Sequence, residues 1–195
     1  IYACIGIHPH EAKDVPVDYL DILRDLSKHK KVVAIGEIGL DYSYDKDNKE
    51  KQIKYFTKQL DLAIKYNLPV IIHTRDSIQD TFDAIKDRKL TGIIHCFSGS
   101  IEMAREFIKK GFLLGIGGVL TFKNSKLHEV IENIDITNLV LETDSPFLTP
   151  EPFRGKQNNP SNVYYVAKKI AEIKKMTTQE VIDITAKNVS KIFDI

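Results

Sequence analysis

The stretch "VVAIGEIGLDY", residues 32–42, begins as a buried strand and then breaks the rule for one. Four apolar residues and a glycine lead into Glu37, and Asp41 follows just past the run. An ionised carboxylate inside a core strand is costly unless a positive group stands beside it. The fold is decided by what that group is and by which other segments supply its remaining neighbours.

Working outward, short apolar runs alternate with amphipathic segments. The runs Tyr2–Ile7, Val32–Ile38, Pro69–His73, Gly92–His95, Phe112–Ile116 and Leu139–Leu141 are rich in Ile, Val and Leu, as strands of a helix-covered parallel sheet are. Helices fit between them. "VDYLDILRDLSKHK" carries a stripe of Tyr19, Leu20, Leu23 and Leu26, and "KEKQIKYFTKQLDLAIKYN" one of Ile53, Phe56, Leu60 and Ile64. Ser77–Asp87, Ser100–Lys110 and Asn124–Asn133 are shorter helices of the same kind, and Ser161–Lys175 and Thr178–Phe193 close the chain. Such alternation predicts an α/β fold of about six βα units, built as one domain over residues 1–195. Six strands suit a doubly wound sheet, or most of a (β/α)8 barrel.

Composition narrows the functional classes. Lys+Arg 28 against Asp+Glu 27 gives a net charge of +1, so nothing here coats a polyanion indiscriminately. Two cysteines, Cys4 and Cys96, make a poor disulfide framework and fit a reducing cytoplasm. No apolar run approaches the roughly 18 residues of a membrane span, and no signal-peptide pattern is legible.

The ionisable residues discriminate between the two architectures. The first strand ends in His8 and His10, the second in Glu37 and Asp41, and the third in His73, Arg75 and Asp76. The fourth ends in His95 and the sixth in Glu142 and Asp144. Polar groups at the C-terminal ends of parallel strands mark the active-site face of an α/β protein, and only in a barrel do those ends form a ring. Convergence of five strand ends therefore favours the barrel. Taken alone, His73 and His95 read as hydrogen-bonded core histidines, and Asp144 as a turn residue before Pro146. Together, two imidazoles and two carboxylates form a ligand set suited to Zn²⁺, Mn²⁺ or Mg²⁺. Such a cation is the positive group that Glu37 requires. Cys96, His29 and His128 read as packing or surface residues. Lys123, Arg154 and Lys156 fall in loops after strands, where Arg154 could clamp an anionic oxygen.

The segments "GIHPH", "IGEIGLDY", "VIIHTRD", "HCFSGS", "ETDSP" and "PFRGKQNNP" resemble, in order, the successive signatures of TatD-type metal-dependent hydrolases, a family of deoxyribonucleases. The resemblance runs over essentially the whole chain. It implies a (β/α)8 TIM-type barrel with one or two divalent metal ions. It implies Glu37 as the bridging ligand, His73 and His95 as ligands of one ion, and Asp144 as ligand of the other. In that scheme Asp144 and Glu37 are catalytic, and His8, His10 and Arg154, helped by Lys123, line the phosphate-binding side. Family members open with a His-x-His strand that has no counterpart before Ile1. About the first two βα units, roughly 55–60 residues, are thus expected to be missing, with weakened metal binding and open barrel edges that invite self-association. The expected activity is hydrolysis of phosphodiesters in single-stranded DNA or DNA ends, as a 3′–5′ exonuclease. The rival readings are hydrolysis of C–N or ester bonds, as in deaminases, lactonases and deacylases, and a catalytically impaired remnant.

Overall fold

The structure, a computed structural model, describes residues 1–193 and residue 195. The chain folds into two compact units. The first comprises Ile1–Ile94 with a few residues from the end of the chain, and the second His95–Lys191.

In the first unit four strands run parallel in chain order: β1 (Ala3–Ile5), β2 (Val32–Asp41), β3 (Val70–Arg75) and β4 (Gly92–Ile94). Between them lie α1 (Tyr19–Leu26), α2 (Lys49–Tyr66) and α3 (Ile78–Ile85). Ile35, Ile38, Leu40, Val70, Ile72 and Ile94 are fully buried, and α2 packs on β2 with Phe56, Leu60 and Ala63 buried. Each large side chain taken from water in this way contributes about 1.5–3 kcal/mol. The helix-covered strands of a parallel sheet are apolar on both faces for this reason.

Strand β2 runs three residues past the expected Ile38. Its pairing with β3 continues through Gly39↔His73 and Leu40↔Thr74 to Asp41↔Arg75. The register slips between Ile35 and Ile38, which places Glu37 in an irregularity of the strand. A bulge of this sort re-aims a side chain, and bulges concentrate beside active sites. Gly39 sits at φ +148, and a Cβ there would fall 2.0 Å from the carbonyl oxygen of His73. Only glycine lets β2 run this close to β3 at that level.

The stripe of α2 differs from its expected form. Phe56 and Leu60 are buried, but Ile53 and Ile64 are 39% and 42% exposed. Their places on the buried face are taken by Gln52 and Gln59, each 1% exposed. A buried amide is tolerated when its donors and acceptor are matched. Gln59 Oε1 accepts the Ile7 N–H at 2.6 Å, and its Nε2 donates to the Ile7 carbonyl at 3.1 Å. Gln52 grips Asp41 in the same way, accepting its N–H at 2.8 Å and donating to its carbonyl at 3.0 Å. One helix therefore clips the ends of two strands through side chains seven residues apart.

The second unit holds α4 (Ile101–Lys109), β5 (Phe112–Ile116), α5 (Leu127–Asn133), β6 (Leu139–Leu141), α6 (Val163–Lys174) and α7 (Thr178–Val189). Strands β5 and β6 are parallel, with Leu114↔Leu139 and Ile116↔Leu141. Phe107, Phe112, Leu114, Ile131, Ile170 and Val181 form its core. Helix α7 opens on a capping box, in which Thr177 and Glu180 each accept the other's backbone N–H. Among the described residues no helix is long and apolar enough to cross a membrane.

Candidate metal centre

His73, near the end of β3, is held between two carboxylates. Its Nδ1 lies 2.8 Å from Glu37 Oε1 and its Nε2 lies 3.0 Å from Asp41 Oδ2. A neutral imidazole carries one N–H, so only one of these contacts is a hydrogen bond. The other sets a lone pair against a carboxylate oxygen unless a second proton or a cation lies between them. Asp41 is fully buried and Glu37 partly open. The imidazole N–H therefore belongs on Nε2, facing the buried carboxylate. Nδ1 and Glu37 are then left as a pair of donors for a metal ion, the usual carboxylate–histidine–metal arrangement.

Asp41 is the hub of this group. Its Oδ2 also meets His10 Nε2 at 2.8 Å, and its Oδ1 accepts the backbone N–H of Ser43 at 3.0 Å and of Tyr44 at 2.9 Å. Burial works against its charge, but the bonds from His10, the Tyr44 amide and His73 outweigh it and hold the carboxyl below its ordinary value. His8, on the turn after β1, lies edge-on to both His10 and His73, with ring centres 4.3 and 4.6 Å away. Burial and the neighbouring His73 push its pKa down to about 4, so its ring is neutral near pH 7. The His10 N–H donates to His8 Nδ1 at 3.3 Å, which places the His8 proton on Nε2, 3.9 Å from Glu37 Oε1. Nitrogens of His8, His10 and His73 all lie within 4.8 Å of one another, close enough to share one ion.

The second unit repeats the motif. His95 Nδ1 lies 2.8 Å from Glu142 Oε2, and its Nε2 lies 3.3 Å from Asp144 Oδ1. Glu142 Oε1 also accepts the Cys96 N–H at 2.6 Å, which fixes this carboxylate as the orienting partner. Nε2 and the more open Asp144 then form a second donor pair. Asp144 and Cys96 both sit at positive φ, 52° and 45°. Non-glycine residues rarely adopt that conformation, and its concentration at strand ends is characteristic of functional sites. The loop carrying Asp144 is tied down by buried Asn158, whose Nδ2 donates to the carbonyls of Thr143 and Phe147, both at 2.6 Å.

The structure thus brings Glu37 together with His73, and His95 together with Asp144. It draws His8 and His10, expected on the phosphate side, into the same group as His73. Lys123 and Arg154 line one cavity of about 370 Å³ with Val119, Phe122, Asn124, Ser125 and Glu151. Arg154 stacks its guanidinium 3.4 Å from the centre of the Phe122 ring. Sequence reasoning noted Asp41 and Glu142 as strand-end acids and gave them no role. It missed Gln52, Gln59 and Asn158 altogether. The donor chemistry of both groups, imidazole nitrogen beside carboxylate oxygen, fits a divalent cation.

The family model described as "TatD related DNase" matches residues 1–194. The chain is 50% identical over its whole length to the uncharacterized metal-dependent hydrolase YabD of Bacillus subtilis, covering 78% of that protein. It is 37% identical, again over its whole length, to the uncharacterized metal-dependent hydrolase YcfH of Escherichia coli K12, covering 74%. Among solved structures, YjjV, a TatD homologue from Escherichia coli K12, superposes with a TM-score of 0.93 at 32% identity, over 100% of this chain and 77% of that one. A TatD-family hydrolase from Entamoeba histolytica gives a TM-score of 0.86 at 28% identity, over 99% of this chain and 74% of that one. The architecture is accordingly α/β, of the (β/α)8 TIM-barrel type.

Proposed function

Because this chain belongs to the TatD-related family of metal-dependent hydrolases, we propose that it hydrolyses phosphodiester bonds of single-stranded DNA, as a deoxyribonuclease. Glu37, His73, His95 and Asp144 are the proposed metal ligands. The observation that carries this reading is the doubled bracket, with each histidine held by one orienting carboxylate and facing a second, more open one. A purely structural histidine needs one such partner, not two.

A divalent cation held by either donor pair, Glu37 with His73 or His95 with Asp144, would supply a water acidic enough to ionise near neutral pH and would polarise a phosphoryl oxygen. The chain's own residues do the rest. Asp41 and Glu142 fix the proton of His73 on Nε2 and of His95 on Nδ1, so that the opposite nitrogens keep their lone pairs. Asp144 and Glu37 present partly exposed oxygens, and Asp144 accepts the proton of the attacking water as general base. His8, neutral with its proton on Nε2, offers a hydrogen bond to a non-bridging phosphate oxygen. Arg154, braced on Phe122, and Lys123 hold a phosphate of the strand, the guanidinium bidentately.

The test is hydrolysis of single-stranded DNA by the whole chain with added Mn²⁺ or Zn²⁺, beside the Glu37→Ala variant. Metal titration by calorimetry runs alongside. Metal-dependent cleavage that the variant loses, together with weaker metal uptake, is the expected result. Cleavage that ignores metal, or a variant as active as the parent, overturns the proposal. Turnover of carboxylic esters or amides with no action on DNA would transfer the same ligand set to the rival chemistry.

A further inference from the structure

Tyr44 is a side chain that neither the ligand set nor the core accounts for. It lies in the loop between β2 and α2 and is 62% exposed. Its ring stacks on His10, with centres 3.8 Å apart and planes 21° from parallel. With one face on His10 and most of its surface in water, the other face is open.

A single exposed aromatic on a surface is ordinary. This one is held in place. The Tyr44 N–H donates to Asp41 Oδ1, so the carboxylate that bonds His10 and His73 also anchors the tyrosine backbone. The next residue, Asp45, pairs with Lys13 at 2.8 Å and accepts from Asn48 Nδ2 at 2.8 Å. The Asp45 carbonyl takes a further bond from buried Gln52 at 3.1 Å. The backbone beneath the ring is therefore held before any ligand arrives and the ring rests on His10, so a planar partner would pay little ordering entropy on meeting it.

We propose that the open face of Tyr44 is a stacking platform for a nucleobase of a single-stranded substrate, beside the phosphate presented to the His8, His10 and His73 group. The inference rests on the phosphodiesterase reading and deepens it by assigning a residue that senses bases as well as backbone. Aromatic rings suit this task because every base offers a π-face, so stacking binds single strands without demanding a sequence. The near-neutral charge of the chain makes such a contact more valuable, since little general attraction for the backbone is available.

The experiment compares two oligonucleotides with the same sugar–phosphate backbone, an oligothymidylate and its fully abasic counterpart, as substrates of the metal-supplemented full chain. The readout is the ratio of their kcat/KM values, which cancels any general damage to the metal group or any unfolded fraction. Loss of one stacked base predicts a ratio of roughly five- to hundredfold for the parent. Tyr44→Phe keeps that ratio, and Tyr44→Ala and Tyr44→Leu bring it close to unity, mainly through KM. An unchanged ratio in the Ala and Leu variants overturns the platform and leaves the phosphodiesterase reading intact, as does a parent that treats both strands alike. A parent that cleaves neither strand overturns that reading and the platform with it.

Discussion

Asp41 illustrates how one residue can decide a site without touching its cargo. Both oxygens are occupied, by two backbone amides on one side and two imidazoles on the other. Asp41→Asn keeps the shape and the amide bonds but loses the charge that holds His10 and His73. Orienting partners of this type are worth about 10–100-fold in metal affinity. The variant should show that loss by calorimetry while remaining folded by circular dichroism. The sequence made the outer layer of the site legible, because Glu37 and His73 interrupt apolar strands where an ionisable group is expensive, and His95 and Asp144 follow just past the ends of two others. The inner layer was hidden. The partners of Asp41 come from three separate segments, and no spacing rule links them. For Glu142, its neighbour Asp144 gave an equally good candidate, and only the Cys96 amide separates their roles.

Among the elements, α2 carries most of what periodicity misread. A glutamine in a helix gives no pattern signal and reads as a solvated surface residue, so the apolar stripe was drawn through Ile53 and Ile64 instead. Replacing Gln52 or Gln59 with Glu would set a carboxylate oxygen against the carbonyl of Asp41 or Ile7. An unfolding free energy lower by about 1–3 kcal/mol in urea titrations is expected for each, with weaker metal uptake, because the strand ends they clip carry Asp41 and precede His8. Helix α7 offers a simpler case. Thr177→Ala removes the cap and should cost about 1 kcal/mol. The Thr177 amide and hydroxyl hold the Glu180 carboxyl below its ordinary 4.5. A depressed folded pKa means that the part of the capping box made by the Glu180 carboxylate is complete above pH 4.5 and fades as pH falls through the lower folded value, while the Glu180 N–H bond to Thr177 persists. The gap between parent and variant in thermal melts should narrow in the same direction.

At the level of the whole molecule, strand–helix alternation was enough to fix the class. Strands β5 and β6 match their expected limits residue for residue, and β2 exceeds its own because pairing with β3 continues beyond the last apolar residue. The charge balance sets a property of the entire chain. Lys123 and Arg154 are the cations proposed to meet phosphate, and net charge is only +1. A protein neutralising two phosphates of a single strand should lose affinity with a log–log salt slope of about −1.4. Fluorescence anisotropy across a range of KCl concentrations measures it, and Lys123→Ala should flatten the slope by about 0.7. A much steeper dependence would point to cations beyond these two.

The saturation of Asp41 has a consequence for how the protein is supplied. With every lone pair committed inside the chain, the scaffold around His73 is complete before an ion arrives and stays complete after one leaves. Chelation should then empty the centre without melting it, so that loading becomes a reversible event governed by free ion concentration and uncoupled from biosynthesis.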